Sequence, residues 1–231
     1  MREVLPALAD AVTKAVTSHR TPNAPRPDGK IFFLKSILAG RQAKESRLLR
    51  VMLYNSAAMM PLHLEAQIRS LLNAEWPGSD EDAALPLIDP KLHTVCFVLA
   101  DEDQVLSYAR TIWETVSHLG QSFKLYDLGD VITQPEFRRQ GYAGRIVEAA
   151  TTHIKSDREA DAAILLTEPK LEALYRRSGW ESVPGLRVAT GEDDEYAAGV
   201  TFPMMLFLSA KAHAARQVFP TDLLVLPGDE W

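Results

Sequence analysis

Residues 131–144, VITQPEFRRQGYAG, constrain this chain more than any other stretch. A strand-forming run ends in Val131, Ile132 and Thr133, meets Pro135, and passes through Arg138, Arg139, Gln140 and Gly141 to Tyr142, Ala143 and Gly144. Residues 144–155, GRIVEAATTHIK, then repeat apolar side chains at Ile146, Val147, Ala150 and Ile154, the spacing of one buried helix face. A strand that turns directly into a helix leaves the first helical N–H groups without partners, and such a terminus binds anions. Gly141 and Gly144 let a phosphate approach the backbone, and Arg138 and Arg139 add positive charge. For two glycines alone, a tight strand-to-helix turn is the simpler reading.

The rest of the chain is organised around this unit as a mixed α/β succession. Residues 48–56 read as a strand and residues 61–76 as a helix with Leu62, Leu64, Ile68, Leu71 and Leu72 as its apolar residues. Residues 93–100 and 104–116 read as two strands around the turn DED, and residues 124–133 as a third. AAILLT precedes PKLEALYRRSGW, where Pro169 suits a first helical turn and Gly179 a C-terminal stop. Strands follow at residues 199–209 and 222–226. Upstream, an amphipathic first segment is followed by RTPNAPRPDGK at residues 20–30, whose prolines mark a linker. Residues 1–47 are therefore set apart as an extension, with residues 31–47 ambiguous between helix and strand, and residues 48–231 as one domain.

Composition excludes several classes of function. The apolar runs fall far below the roughly 20 residues of a membrane-spanning helix, and the N-terminus carries Glu3 and Asp10 in place of a signal core. A soluble, cytoplasmic protein with no membrane partner is expected. A net charge of −6 argues against nucleic acid as the main partner. The single cysteine, Cys96, lies in the apolar run CFVLA and reads as a buried structural thiol. Acidic clusters at residues 79–82 and 192–195 point weakly toward a cationic ligand, with solvated loops as the simpler reading of each.

The run of Arg138, Gly141 and Ala143, entered from a strand through Pro135, resembles the acetyl-CoA-binding motif of the GNAT superfamily of N-acetyltransferases. The segment PKLEALYRRSGWE is similar to a later helix of that family, in which Tyr175 holds the position of a tyrosine near the coenzyme sulfur. The resemblance implies a GNAT fold, with a mixed and mostly antiparallel central sheet flanked by helices. It implies acetyl-CoA as cosubstrate and no metal. The amides of residues 138–144 would hold the pyrophosphate, and Val131, Ile132 and Thr133 would bond the pantetheine arm. It further implies direct attack of a neutral amine on the thioester, with Tyr175 as general acid and the Val131 N–H at the developing oxyanion. A packed core tyrosine is the plain alternative for Tyr175. The strand offers Asp127 and Asp130 as bases, which alternation puts on opposite faces unless a bulge intervenes.

Over about residues 50–231 the chain is similar to aminoglycoside 2'-N-acetyltransferases, through RRSGW after Tyr175, the acidic EDDE before GVTFPMM, and the ending GDEW. That resemblance implies a small cationic amine or aminosugar as acceptor, held by Asp229 and Trp231 at the tail with Asp193, Asp194 and Asp80 on the rim. A homodimer is an open oligomeric alternative. Counting back from Arg138, the family has a glutamate where this sequence has Gly129, so its base is missing or displaced to Asp127 or Asp130. Acetylation of protein lysines or N-termini, and a silent CoA-binding regulatory domain, are the rival readings.

Overall fold

The computed structural model describes residues 49–78, 85–101, 103–190, 194–195 and 201–227, all within the unit Leu49–Trp231. The extension, its linker, and Asp80, Asp193, Asp229 and Trp231 lie outside the described residues, as does the side chain of Asp194.

Strand β1 (Val51–Tyr54) leads through Pro61 into helix α1 (Leu62–Glu75). Leu64 and Ile68 of this helix are buried, and Leu71 and Leu72 continue the same stripe. Leu62 departs from the expected apolar face. It is 81% exposed, because two residues before Leu64 correspond to about 200° around the helix.

Strands β2 (Val95–Asp101) and β3 (Gln104–His118) form the anticipated hairpin. A two-residue turn then joins β3 to β4 (Gln121–Thr133), with Leu119 and Gly120 at φ +52° and +69°. Positive φ at both central positions matches the right-handed twist of the paired strands, so the chain can reverse in two residues.

Helix α2 (Tyr142–Ser156) crosses back to β5 (Ala162–Thr167), which runs parallel to β4. Helix α3 (Glu172–Arg176) ends near Gly179, at φ +96°, ahead of β6 (Glu181–Ser182). The chain continues through β7 (Arg187–Thr190), β8 (Asp194–Glu195), β9 (Phe202–Phe207), α4 (Ala210–Ala215) and β10 (Leu223–Leu226). Seven strands are ordered β1-β2-β3-β4-β5-β9-β6, and β4 with β5 is the parallel pair among antiparallel neighbours. A second sheet, β10-β7-β8, was not legible in the sequence, because four residues of β7 and two of β8 are too short for a periodic signal.

Alternation along β2 buries both faces of the sheet. Phe97 and Leu99 pack with Ile146, Val147, Ala150 and Ile154 of α2, whereas Cys96 and Val98 pack with Leu64 and Ile68 of α1. Each large aliphatic side chain so buried contributes about 1.5–3 kcal/mol. Cys96 belongs to this core: its Sγ lies 3.2 Å from the Tyr108 hydroxyl, and burial pushes its pKa up to about 11. No helix among the described residues is long and apolar enough to cross a membrane.

Candidate active site

The site grows from a mismatch between β4 and its two neighbours. On the β5 side, pairing covers Leu125, Tyr126 and Asp127 against Ala162, Ala163 and Ile164 and then stops. On the β3 side, Tyr108 pairs with Ile132 and Arg110 with Gly129, so β4 carries one extra residue at this point. This is a β-bulge, and Asp130 sits in it at φ +54°. Asp130 and Val131 have no register partner on either neighbouring strand, which leaves backbone groups at the divergence of β4 and β5 available to a ligand.

The bulge also corrects the expectation that Asp127 and Asp130 face opposite ways. One inserted residue reverses the alternation, and both line a cavity of about 360 Å³ together with Arg110, Val131, Thr167 and Tyr175. Arg110 Nε meets Asp130 Oδ2 at 2.6 Å. Asp127 folds toward Gly129, where an added Cβ would lie 2.9 Å from its Oδ2. Its pKa is pushed up to about 7, chiefly by burial; the Arg110 guanidinium works against this and the Asp130 charge adds to it.

Tyr175 is buried on α3 and reaches the same cavity. Burial drives its pKa up to about 12, with the Thr167 hydroxyl opposing and the charge of Asp127 assisting. A phenol so placed keeps its proton at neutral pH. Behind it Trp180 is buried, donating from Nε1 to Thr151 Oγ1 of α2 at 2.9 Å, so α3 is fixed against α2 by the RRSGW segment.

At the N-terminus of α2, Gly141 is the cap residue at φ +83°, with no side-chain cap, and Arg145 N is the first to bond back, to Gly141 O at 3.2 Å. The N–H groups of Tyr142, Ala143 and Gly144 therefore precede the helical ladder. Arg139 is exposed at φ +63°, and Gln140 donates weakly to Glu136 O at 3.4 Å. The side chain of Ile132 is buried in the core, and that of Tyr142 is half-buried against it. Thr133 Oγ1 lies 2.9 Å from Ser107 Oγ.

Arg138 differs from the expectation of a charge aimed at the anion. Its Nη2 contacts Glu75 Oε2 of α1 at 2.7 Å, and its Nε donates to Thr133 O at 3.1 Å. The guanidinium thus ties the loop to α1, because Glu75 is the carboxylate at hand. Cations that the sequence reading missed stand elsewhere: a groove of about 460 Å³ runs from Gly141 and Gly144 past Arg145, Lys155 and Arg177. Arg110 was missed too, although a lone guanidinium inside the apolar run SYARTIW of a central strand is a signal of a buried partner.

A parallel pair that diverges beside an uncapped helix N-terminus, with carboxyls and a phenol at the divergence, offers a place for an anionic ligand next to ionisable side chains. Residues 65–183, just over half of the chain, match the Acetyltransferase (GNAT) domain, and the chain belongs to this family of N-acetyltransferases. No curated protein matches the sequence. The fold is similar to that of a GNAT family N-acetyltransferase, YhbS, from Escherichia coli, solved in complex with CoA. Identity is 19%, the TM-score is 0.51, and 80% of this chain and 93% of that chain are covered. An aminoglycoside 6'-N-acetyltransferase complexed with coenzyme A is 14% identical, covering 68% and 97% of the two chains at a TM-score of 0.49. Arabidopsis thaliana NAA60 in complex with a bisubstrate analogue is 10% identical, covering 68% and 98% at a TM-score of 0.47. The last two likenesses are too distant to add to the fold argument.

Proposed function

We propose that the protein moves an acetyl group from acetyl-CoA to the primary amine of a small cationic molecule, with Asp127 as base and Tyr175 as acid. The observation that carries this reading is the meeting of Asp127, Tyr175 and the unpaired edge of β4 on one cavity. Asp127 takes a proton from the substrate ammonium, and its raised pKa suits that task near neutrality. The freed nitrogen bonds to the thioester carbonyl carbon while the Val131 N–H faces the developing oxyanion. As the carbon–sulfur bond breaks, the phenolic proton of Tyr175 goes to the departing thiolate, and the acylated nitrogen loses its second proton to solvent, leaving a neutral amide. Solvent then restores both side chains.

In this reading the amides of residues 142–144 hold the pyrophosphate, residues 131–133 bond the pantetheine arm, and the groove past Arg145, Lys155 and Arg177 receives the phosphorylated adenosine end. Arg138 acts as a tether between the loop and α1. Gly129 supports the assignment of the base. A side chain there would displace the Asp127 carboxylate, which accords with a base carried two residues upstream. The aminosugar reading draws its support from the acidic residues Asp80, Asp193, Asp194 and Asp229 and from Trp231 in the sequence. We assign the transferase to residues 48–231 and regard residues 1–47 as an added segment.

The test is thiol release from acetyl-CoA by the full chain with aminosugars, polyamines, peptide N-termini and monoamines. Release that depends on an amine, and that falls about 100-fold or more in Asp127→Asn while CoA still binds, is expected. CoA binding without acceleration by any amine would overturn the reading in favour of a silent binding domain.

A further inference from the structure

The acceptor side of the cavity carries more information than its reacting groups. Among its described lining residues are three carboxylates, Asp127, Asp130 and Glu168. Asp130 is paired with Arg110 at 2.6 Å, and Glu168 with Lys170 at 2.6 Å. Asp127 is left as the carboxylate without an ion pair among the described residues. Arg110 also lines the cavity, bound to Asp130.

Several other lining residues are apolar. Trp76, at the end of α1, is 51% exposed, and Leu171, just before α3, is 39% exposed; both line the cavity, with Leu166 and Leu226 beside them. Aromatic and aliphatic side chains lining a concave site suit the apolar body of a small ligand. The volume of about 360 Å³ lies at the low end of the range of about 300–1,000 Å³ in which small molecules are held.

We infer that the acceptor is a primary amine with a single ammonium carried on an aromatic or branched aliphatic body, which lies against Trp76 and Leu171 with its nitrogen at Asp127. This deepens the acetyl-transfer reading and rests on it. The indole supplies the apolar contact, and Asp127, the described lining carboxylate without a paired cation, matches one ammonium.

The experiment compares kcat/KM of the full chain, with acetyl-CoA saturating, for 2-phenylethylamine, isoamylamine, ethylamine, spermidine and kanamycin. Phenylethylamine and isoamylamine are expected to exceed the other three by about tenfold or more. Trp76→Ala is expected to raise the KM for phenylethylamine by about tenfold while the KM for acetyl-CoA moves less than twofold, and Trp76→Phe to recover most of the loss. Higher kcat/KM for spermidine or kanamycin, or a Trp76→Ala variant that treats all five amines as the parent does, would overturn the inference and leave acetyl transfer standing. Thiol release with none of the amines, while CoA still binds, would instead sink the reading beneath it. A matching circular dichroism spectrum and CoA affinity establish that Trp76→Ala is folded.

Discussion

Asp127 lies over Gly129, so that a methyl group at residue 129 would stand 2.9 Å from the Asp127 Oδ2 atom. That separation is shorter than a carbon and an oxygen tolerate, and the flexible carboxylate must move rather than the backbone. Gly129→Ala is therefore expected to lower kcat by about tenfold through displacement of the base, with little change in thermal stability. Steady-state kinetics together with a melting curve check this. An unchanged kcat would mean that the position of Asp127 does not matter to the reaction.

The pH dependence follows from the same carboxyl. Its pKa is raised to about 7, so kcat/KM should rise with pH through about 7 as Asp127 loses its proton, and Asp127→Asn should abolish that limb. Stability runs the other way. The folded state binds this proton more tightly than the unfolded chain, whose value is 3.8, so the contribution is full below about pH 4 and lost as pH rises through about 7. Three units correspond to at most about 4 kcal/mol, and solvent reaching the half-buried group reduces that figure. Asp127→Asn should then melt higher than the parent at pH 8 and near it at pH 4. Equal melting temperatures at both pH values would contradict a raised carboxyl.

Tyr175→Phe keeps the ring in its buried place and removes only the proton donor. We expect kcat to fall by about 100-fold with the affinity for CoA, measured by calorimetry, almost unchanged. Because burial holds the phenol up to about 12, no limb from its ionisation should appear below pH 10 in the parent enzyme. A small effect on kcat, with a large one on melting temperature, would return Tyr175 to a packing role.

What the sequence made legible was local. The spacing of Ile146, Val147, Ala150 and Ile154 marked α2, and Pro135 and Gly141 bounded the loop before it, because these signals reside within one or two turns of chain. The pairing of Arg138 with Glu75, 63 residues apart, was not legible, since nothing local distinguishes a guanidinium aimed at phosphate from one held by a distant carboxylate. Asp127 and Asp130 show the same limit. Their shared cavity depends on one inserted residue in β4, and a bulge is a property of register against β3, which only tertiary pairing defines. Arg110, Trp76 and Leu171 come together from a strand, the end of α1 and the entry to α3, so no motif contains them.

The groove beside α2 offers a test of how the coenzyme lies. Arg145, Lys155 and Arg177 line it with Gly141 and Gly144, and Arg145 and Lys155 donate to the carbonyls of Leu49 and Ser178. Three cations against the one carboxylate of Glu148 leave the described lining net positive, so the groove suits a further phosphate beyond the pair held at the helix terminus. Arg177→Ala removes one cation from the exposed face of the groove without touching the core, and stability should change by no more than about 0.5 kcal/mol. The KM for acetyl-CoA should rise about tenfold, whereas the KM for its 3'-dephospho analogue, which lacks that phosphate, should change little. The preference should also shrink as salt is raised, because the interaction is partly exposed. Equal weakening of both donors would mean that Arg177 meets the pyrophosphate or the adenine instead, and Gly141→Ala would then separate the two. Strain at φ +83° and a methyl at the mouth of the amide cradle should raise the KM for both donors alike.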